Sequence, residues 1–286
     1  MSSGRVVITG ASGAMGAAAT QAMAASGRAV TMACRSIPKA EAVRNRILAG
    51  LPDADIEIRR LDLASLDSVR SFADSFDPGT VSALFNNAGV ISREYSLTED
   101  GLENTFAVNY FAPVLLTRLL MPHMLPGAAV VSMVSLSCRY TAIDERSLLP
   151  GPADFTQLGT YARSKLALLH FSRELARRHP KVRVNLADPG IVDSDMIRLG
   201  HWFDPLTDIV FRPFCKSPER GVQPAVDALM SKERDRYFVG KGSKDIPARY
   251  DDPALDLRLW RETERIMADI LEKQSNKSGC SPSNIC

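Results

Sequence analysis

What most constrains the fold of this chain is the order in which two kinds of stretch follow one another. Runs rich in β-branched and apolar residues, "RVVIT", "AVTMAC", "IEIRRL", "VSALFNN", "AAVVSMVS" and "VRVNLA", alternate with stretches long enough for several helical turns. An uninterrupted apolar run of strand length is buried on both faces, and two parallel strands need a crossover between them, usually a helix. The expected architecture is therefore α/β: a single-domain, doubly wound parallel sheet with helices on both faces. Gly27 is placed to end the first helix, Pro38 lies near the start of the second, and Ser65 or a residue near it caps the third. Longer helices are expected from about Thr98 to Met121 and from about Tyr161 to Arg178, and "SPERGVQPAVDALM", "RYFVG" and "PALDLRLWRETERIMADILEK" supply a helix, a short strand and a final helix. One domain is expected over 1–275, with 276–286 a disordered tail.

Charge and composition exclude several classes of function. With 35 Lys and Arg against 33 Asp and Glu the formal net charge is +2, and the basic residues are scattered, so no footprint for nucleic acid is present. No apolar run approaches the roughly 20 residues of a membrane-spanning helix, and no signal segment precedes Val6, so the chain reads as cytoplasmic with no transmembrane anchor. Five cysteines (Cys34, Cys138, Cys215, Cys280, Cys286) and four histidines (His123, His170, His179, His201) show no metal-ligand spacing; no metal site is expected and the thiols read as reduced and incidental.

The turn after the first strand, "TGASGAMG", carries the first chemical signal. Gly10, Gly13 and Gly16 let the backbone approach a pyrophosphate, whose charge meets the free N–H groups and dipole of the following helix. Together with Ser12, Ala14 and Met15 they form the expected phosphate cradle of a Rossmann-type dinucleotide site. The glycines alone admit two registers, one found in dehydrogenases and one in sugar-nucleotide epimerases. After the second strand, where an NAD site carries an acid for the ribose 2′-OH, stand Arg35 and Ser36; an arginine there favours a 2′-phosphate, with Arg28 and Lys39 close enough in sequence to add to the field. NADP is the expected cofactor and NAD the alternative. Further along, Tyr161 and Lys165 are spaced to share one helix face. An ammonium beside a phenol favours the phenolate, as a tyrosine exchanging a proton with an alcohol or ketone oxygen requires.

The ordered set "TGASGAMG", "LDLAS", "NNAG", Asn109, Ser135, "YARSK" and "DPGIVDS" resembles the short-chain dehydrogenase/reductase family over Val6 to about Ser194, and "MACRS", "RRLDLASLDSVRSF" and "YARSKLALLHFSRELARR" resemble its retinol-dehydrogenase-type members. The resemblance implies that Tyr161 is the acid/base, that Lys165 lowers its pKa and holds the nicotinamide ribose, that Ser135 holds the substrate oxygen, with Ser132 and Ser137 as alternative registers, and that Asn109 supports a water relaying protons to Lys165. It further implies that Asp62 and Leu63 contact the adenine, that Asn87, Ala88 and Gly89 line the cofactor, and that Pro189, Gly190 and Val192 pass the carboxamide. The sequence departs from the family pattern at Ala14, where the dehydrogenase branch has its second glycine, at Ser132 and at Ser194. A homodimer or homotetramer through the two long helices is the family's usual assembly.

The implied reaction is hydride transfer between NADP and a carbonyl or alcohol. A substrate lid is expected over about 194–217, where Trp202, Phe203, Phe211 and Phe214 suit a hydrophobic small molecule such as a retinoid, steroid or aromatic ketone, or else pack the lid on its own domain. Two other functions fit parts of the pattern. One is a nucleotide-sugar epimerase or dehydratase, against which the chain length and "NNAG" stand; the other is a non-catalytic NADPH-binding sensor, which has no need of Ser135, Tyr161 and Lys165.

Overall fold

A computed structural model describes residues 4–190 and 217–278, with side chains as far as Lys273. Its centre is one eight-stranded sheet in the order β3-β2-β1-β4-β5-β6-β7-β8. The strands are β1 (Arg5–Thr9), β2 (Val30–Cys34), β3 (Ile56–Arg60), β4 (Val81–Asn86), β5 (Met124–Met133), β6 (Arg183–Asp188), β7 (Tyr237–Val239) and β8 (Ser243–Lys244). All neighbours pair in parallel except β7 and β8, an antiparallel edge pair that the sequence pattern did not announce.

The apolar runs split by alternation into two cores, as a sheet covered on both faces requires. Val7, Leu84, Val130, Val184 and Leu186 join one buried cluster. Val6, Ile8, Ala83, Phe85, Val131, Met133 and Ala187 join the other. Helices α1 (Ala14–Ala25) and α2 (Ile37–Gly50) lie on the second face, and α3 (Leu66–Ala73), α5 (Ala112–Leu120) and α6 (Gln157–Arg178) on the first. Helix α7 (Pro218–Met230) packs with α1, and the long α8 (Pro253–Ser278) packs with α6.

Several local expectations hold. Ser65 Oγ accepts the Ser68 N–H at 3.2 Å, capping α3, and Pro38 falls in the first turn of α2. The helix expected from Thr98 begins later: Gly101 has φ 78°, Leu97 and Glu103 form a bridge, and the Glu103 carboxylate accepts from Thr105 N and Phe106 N at 3.0 and 2.9 Å. The glycine's left-handed backbone ends any helix there, and the glutamate caps the next one. That helix is also interrupted, with α4 (Asn104–Phe106) leading through a π-turn (Ala107–Phe111) into α5. The stretch read as a tail from residue 276 begins as helix, since α8 runs to Ser278. The expected lid lies outside the described residues except Ser217, whose hydroxyl caps α7.

Helix α8 packs along α6 and reaches the π-turn and α5 through single side-chain pairs. Trp260 stacks on Phe171 at 5.2 Å between centroids and 6° between planes, and Arg178 lies over the indole. Tyr110 and Thr263 share a buried hydrogen bond of 2.6 Å, and Arg118 donates to Glu264. Asp256, 0% exposed, accepts from His170 Nδ1, Arg173 Nε and Arg177. Burial pushes this carboxyl up, but the hydrogen bonds from His170, Arg177 and Arg173 outweigh it and hold the group below the usual carboxylate range.

Candidate active site

The carboxyl ends of β1, β2 and β4 open into a cavity of about 360 Å³, the place where open α/β sheets bind ligands. Gly10 has φ 64°, and a Cβ there would meet Ala88 at 3.0 Å. A Cβ on Gly16 would lie 2.3 Å from Gly10 O and 2.7 Å from Ala11 Cα, whereas one on Gly13 meets only Gly10 O, at 3.3 Å. The turn is therefore closed by backbone against backbone. Helix α1 starts at Gly13 with no side-chain cap and no acid in its first turn, leaving its N–H groups facing the cavity for an anion. Opposite them, Asn87 Oδ1 is buried without a hydrogen-bond partner. A turn whose glycines leave backbone open to the cavity, an open helix end and an unused buried acceptor fit a dinucleotide.

The cavity gathers the residues expected around the phosphates and the adenosine half, Gly10, Ser12, Gly13, Ala14, Met15, Gly16, Arg35, Ser36, Asp62 and Leu63, with Asn87, Ala88 and Gly89, while Lys165, expected at the nicotinamide ribose, does not line it. Lys39 also lines it. Arg28 does not; it lies in a separate hollow with Asp53 and Asp55, because it precedes β2 whereas Arg35 follows it, and a five-residue strand holds its two ends apart. Ala33, Leu61, Val90 and Val108 complete the wall without having been singled out from the sequence, although each sits within two positions of a residue that was. Thr9 was also missed. Its hydroxyl accepts from Asn87 N and Ala88 N, both at 3.0 Å, and its carbonyl accepts from Asn87 Nδ2 at 2.8 Å, so the end of β1 is tied to the turn after β4.

Beyond that turn stand the proton-handling groups. Asn109 sits in the π-turn, fully buried, and its amide is spent on structure: Oδ1 accepts from Val90 N at 2.8 Å, and Nδ2 donates to Val90 O at 2.9 Å and Ser164 Oγ at 3.0 Å. The extra residue of a π-turn re-aims a helical side chain, and such turns recur at functional sites. A Cβ on Gly89 would lie 3.2 Å from Lys165 Nζ and 3.4 Å from Asn109 Oδ1, so this glycine, too, makes room for a close approach. Lys165 Nζ donates to Met133 O at 3.1 Å, and burial pushes its ammonium down to about 8.

The strand β5 ends at Met133, and Ser135 caps a short 3-10 turn. The Tyr161 hydroxyl is hydrogen-bonded to the Ser135 side chain. Ser137, one of the alternative registers, supports that serine, donating to Ser135 Oγ from its own hydroxyl at 3.0 Å and from its N–H at 3.2 Å. Ser132 is excluded from the group, because it is buried within β5 and accepts from Ser172. The expected lowering of the Tyr161 pKa by Lys165 is not what governs the phenol here. Burial pushes it up to about 12, the Ser135 hydrogen bond works against that, and Cys138 and Asp188 add to the rise. Pro189 and Gly190 directly follow β6, and Val192 lies outside the described residues. Neither described cysteine is remote from the site. Burial pushes the Cys34 thiol up, with Ser12 working against the rise, and burial pushes Cys138 up to about 12, with Ser135 and then Lys165 working against it.

A sequence profile described as short chain dehydrogenase matches residues 5–200. The chain belongs to the short-chain dehydrogenase family. This short-chain dehydrogenase is 32% identical over 277 residues to human retinol dehydrogenase 13, covering 92% of this chain and 84% of that one. It is 33% identical to the WW domain-containing oxidoreductase of Pongo abelii, over 94% of this chain and 69% of that protein. Among solved structures, an uncharacterized protein from Mycobacterium Paratuberculosis superposes with a TM-score of 0.75 at 28% identity, covering 92% of each chain. A short chain dehydrogenase from Escherichia coli complexed with NADPH shares the fold, with a TM-score of 0.65 at 19% identity over 84% of this chain and 97% of that one. The Rossmann-type reading of the sheet and the oxidoreductase family are thereby established, and a nicotinamide cofactor goes with that family. Among the described residues no helix is long and apolar enough to cross a membrane, and no cluster of metal-ligating side chains occurs.

Proposed function

We propose that this short-chain dehydrogenase is NADP-dependent and interconverts a carbonyl and the corresponding alcohol on a hydrophobic small molecule, with Tyr161 as the acid/base. The observation that carries the reading is the convergence of Ser135, Tyr161, Lys165 and Asn109 at the ends of β4 and β5, next to the Gly89 end of the cavity. Arg35, Ser36 and Lys39 at the other end, with no acid immediately after β2, support a 2′-phosphate over a free 2′-OH. The retinol dehydrogenases among the relatives support an apolar alcohol or aldehyde as substrate.

When bound, nicotinamide supplies or accepts the hydride at the substrate carbon. In reduction the Tyr161 hydroxyl gives its proton to the carbonyl oxygen, which the Ser135 hydroxyl holds in place, oriented in turn by Ser137. Lys165, fixed between Met133 O and Gly89, holds the ribose side of the cofactor and favours the phenolate that remains. Asn109 fixes the turn at Val90 and the Ser164 side of α6, and so the spacing at which a water can relay protons to Lys165. Oxidation runs the same transfers backwards.

The test is nicotinamide absorbance with NADPH and a panel of aldehydes, ketones and quinones. Tyr161→Phe is expected to abolish turnover and leave NADPH affinity within about threefold, since the phenol lies outside the phosphate cradle. Undiminished turnover in that variant refutes the mechanism, and a preference for NADH refutes the role given to Arg35.

A further inference from the structure

Ser164 stands on α6 three residues after Tyr161 and one before Lys165, and it is 0% exposed. Its buried neighbours along the helix are mostly apolar, Ala162, Leu166 and Ala167 among them. Alanine would have the better helix propensity here and would leave no polar atom to satisfy. The hydroxyl is instead engaged on both sides: it donates to Tyr161 O at 2.8 Å and accepts from Asn109 Nδ2 at 3.0 Å. A serine hydroxyl has one proton, and a carbonyl can only accept it. The partner on the other side must therefore be a donor, so the Asn109 amide meets Ser164 with its nitrogen. That is the orientation its two bonds to Val90 also require, Oδ1 accepting from Val90 N at 2.8 Å and Nδ2 donating to Val90 O at 2.9 Å. Val90, Asn109, Ser164 and Tyr161 O thus form one unbroken chain of hydrogen bonds. It joins a residue that lines the cavity to the backbone of the residue that carries the phenol.

We propose that Ser164 is a positioning residue for the reaction at Tyr161: it carries the register of the turn at Gly89 and Val90, through Asn109, to the Tyr161 backbone, and so sets where the phenol stands against the Gly89 end of the cavity. This rests on Tyr161 being the acid/base. The chain of bonds ends on the carbonyl of Tyr161 itself, which in an α-helix also takes the N–H four residues on, that of Lys165. A serine bonded back to such a carbonyl bends its helix slightly, here at the turn that carries both proton-handling groups. Lys165 is held from the opposite end of its side chain, by Met133 O at 3.1 Å and against Gly89. Removing the Ser164 hydroxyl leaves the apolar packing of α6 in place and cuts the hydrogen bond between its first turns and the π-turn. A displacement of about 1 Å at reacting atoms is enough to cost on the order of 100-fold in rate.

Ser172 supplies a matched control. It lies about 12 Å further along the axis of α6, is 1% exposed, donates back to Leu168 O at 2.8 Å and is hydrogen-bonded to Ser132 on β5 at 2.9 Å. Ser164→Ala and Ser172→Ala therefore remove the same kinds of bond from one helix, and should lower Tm by similar amounts. In the full-length protein Ser164→Ala is expected to speed amide exchange at Val90 N–H at least about fivefold, because the Asn109 amide that holds this proton loses its second anchor. With NADPH and the carbonyl of the panel above that turns over fastest, kcat should fall about 10- to 100-fold while KM for the carbonyl and NADPH affinity stay within about threefold. Ser172→Ala should keep both Val90 exchange and kcat within about twofold of wild type. Val90 exchange unmoved in Ser164→Ala overturns the proposal, and so does a kcat that falls no further than in Ser172→Ala. Turnover surviving in Tyr161→Phe would instead refute the acid/base reading, and exchange at Val90 reports on the Ser164 tether whichever way that falls.

Discussion

Lys165→Met should make the protein more stable while removing its activity. Lys165 is 2% exposed, and burial pushes its ammonium from 10.5 down to about 8. Each pH unit of depression corresponds to about 1.4 kcal/mol, so holding this charge inside the fold at about pH 7 costs on the order of 3 kcal/mol. Methionine keeps the length and the apolar stem. It forfeits the 3.1 Å bond from Nζ to Met133 O, a loss of about 1–2 kcal/mol. The net expectation is a gain of about 1–2 kcal/mol, or roughly 2–6 °C in Tm.

The pH dependence carries the stronger test. Between the folded value near 8 and the unfolded value near 10.5 the unfolded chain binds a proton that the folded protein does not, and stability rises with pH wherever that holds. The wild type should therefore recover its deficit across this window, and the variant should show no such recovery. Urea unfolding of both proteins at about pH 7 and again at about pH 9.5 measures it; the advantage of the variant should shrink by about 2 kcal/mol over that interval. Other lysines, tyrosines and cysteines titrate in both proteins and cancel in the difference. A variant less stable than wild type at neutral pH, or an advantage independent of pH, refutes the claim that Lys165 is held at a cost for the sake of its chemistry.

Two further perturbations probe the scaffold. Gly16→Ala places a Cβ 2.3 Å from Gly10 O, where no side chain can give way, so overpacking of about 1–3 kcal/mol should outweigh the gain in helix propensity and weaken NADPH binding at least tenfold by fluorescence titration. Asp256→Ala takes one carboxylate from Arg173, which keeps Asp251, and from Arg177, which keeps Glu174, and leaves His170 without its partner, and should cost on the order of 2–3 kcal/mol in urea unfolding at neutral pH. Because the Asp256 carboxyl is held below its unfolded value near 4, its contribution is present above that pH and fades as the pH falls through the folded value. The gap between wild type and variant should therefore close in acid.

The sheet and the phosphate cradle were legible in the sequence because local rules decide them. Strand length, alternation and the glycines of "TGASGAMG" fix β1, the turn and α1 within a few residues, and every position assigned to the phosphates and adenine reaches the cavity. What the sequence concealed depends on contacts between distant segments. Arg28 and Arg35 are close in sequence, but an extended strand separates them. The π-turn at Asn109 leaves no mark in "FAVNYF", and the choice among Ser132, Ser135 and Ser137 needed the end of β5 to be known: one faces α6, one faces Tyr161, and one supports the second. The state of Tyr161 could not be read from its spacing to Lys165, since burial, the Ser135 hydrogen bond and the charges of Cys138 and Asp188, all distant in sequence, govern it.

The C-terminal helix shows the same limit at larger scale. From sequence, α8 is an amphipathic stretch with no assigned partner, and α6 is the helix of Tyr161 and Lys165. In the fold, α6 does two jobs along its length. Its first turns present Tyr161, Ser164 and Lys165 to the site, and from His170 onward its outer face grips α8 through the Asp256 ion pairs and the stacking of Phe171 on Trp260. The π-turn carrying Asn109 is held by the same helix, through Tyr110 and Thr263. Two of the elements that place the proton-handling groups are therefore fixed against one external strut, and side chains held to within about half an ångström are what a proton transfer of this kind needs. A loosened α8 should reach the site through α6 before it reaches the phosphate cradle, whose walls belong to β1, β2 and β4. Loss of turnover ahead of loss of NADPH binding, as denaturant is raised, is the order that this geometry implies.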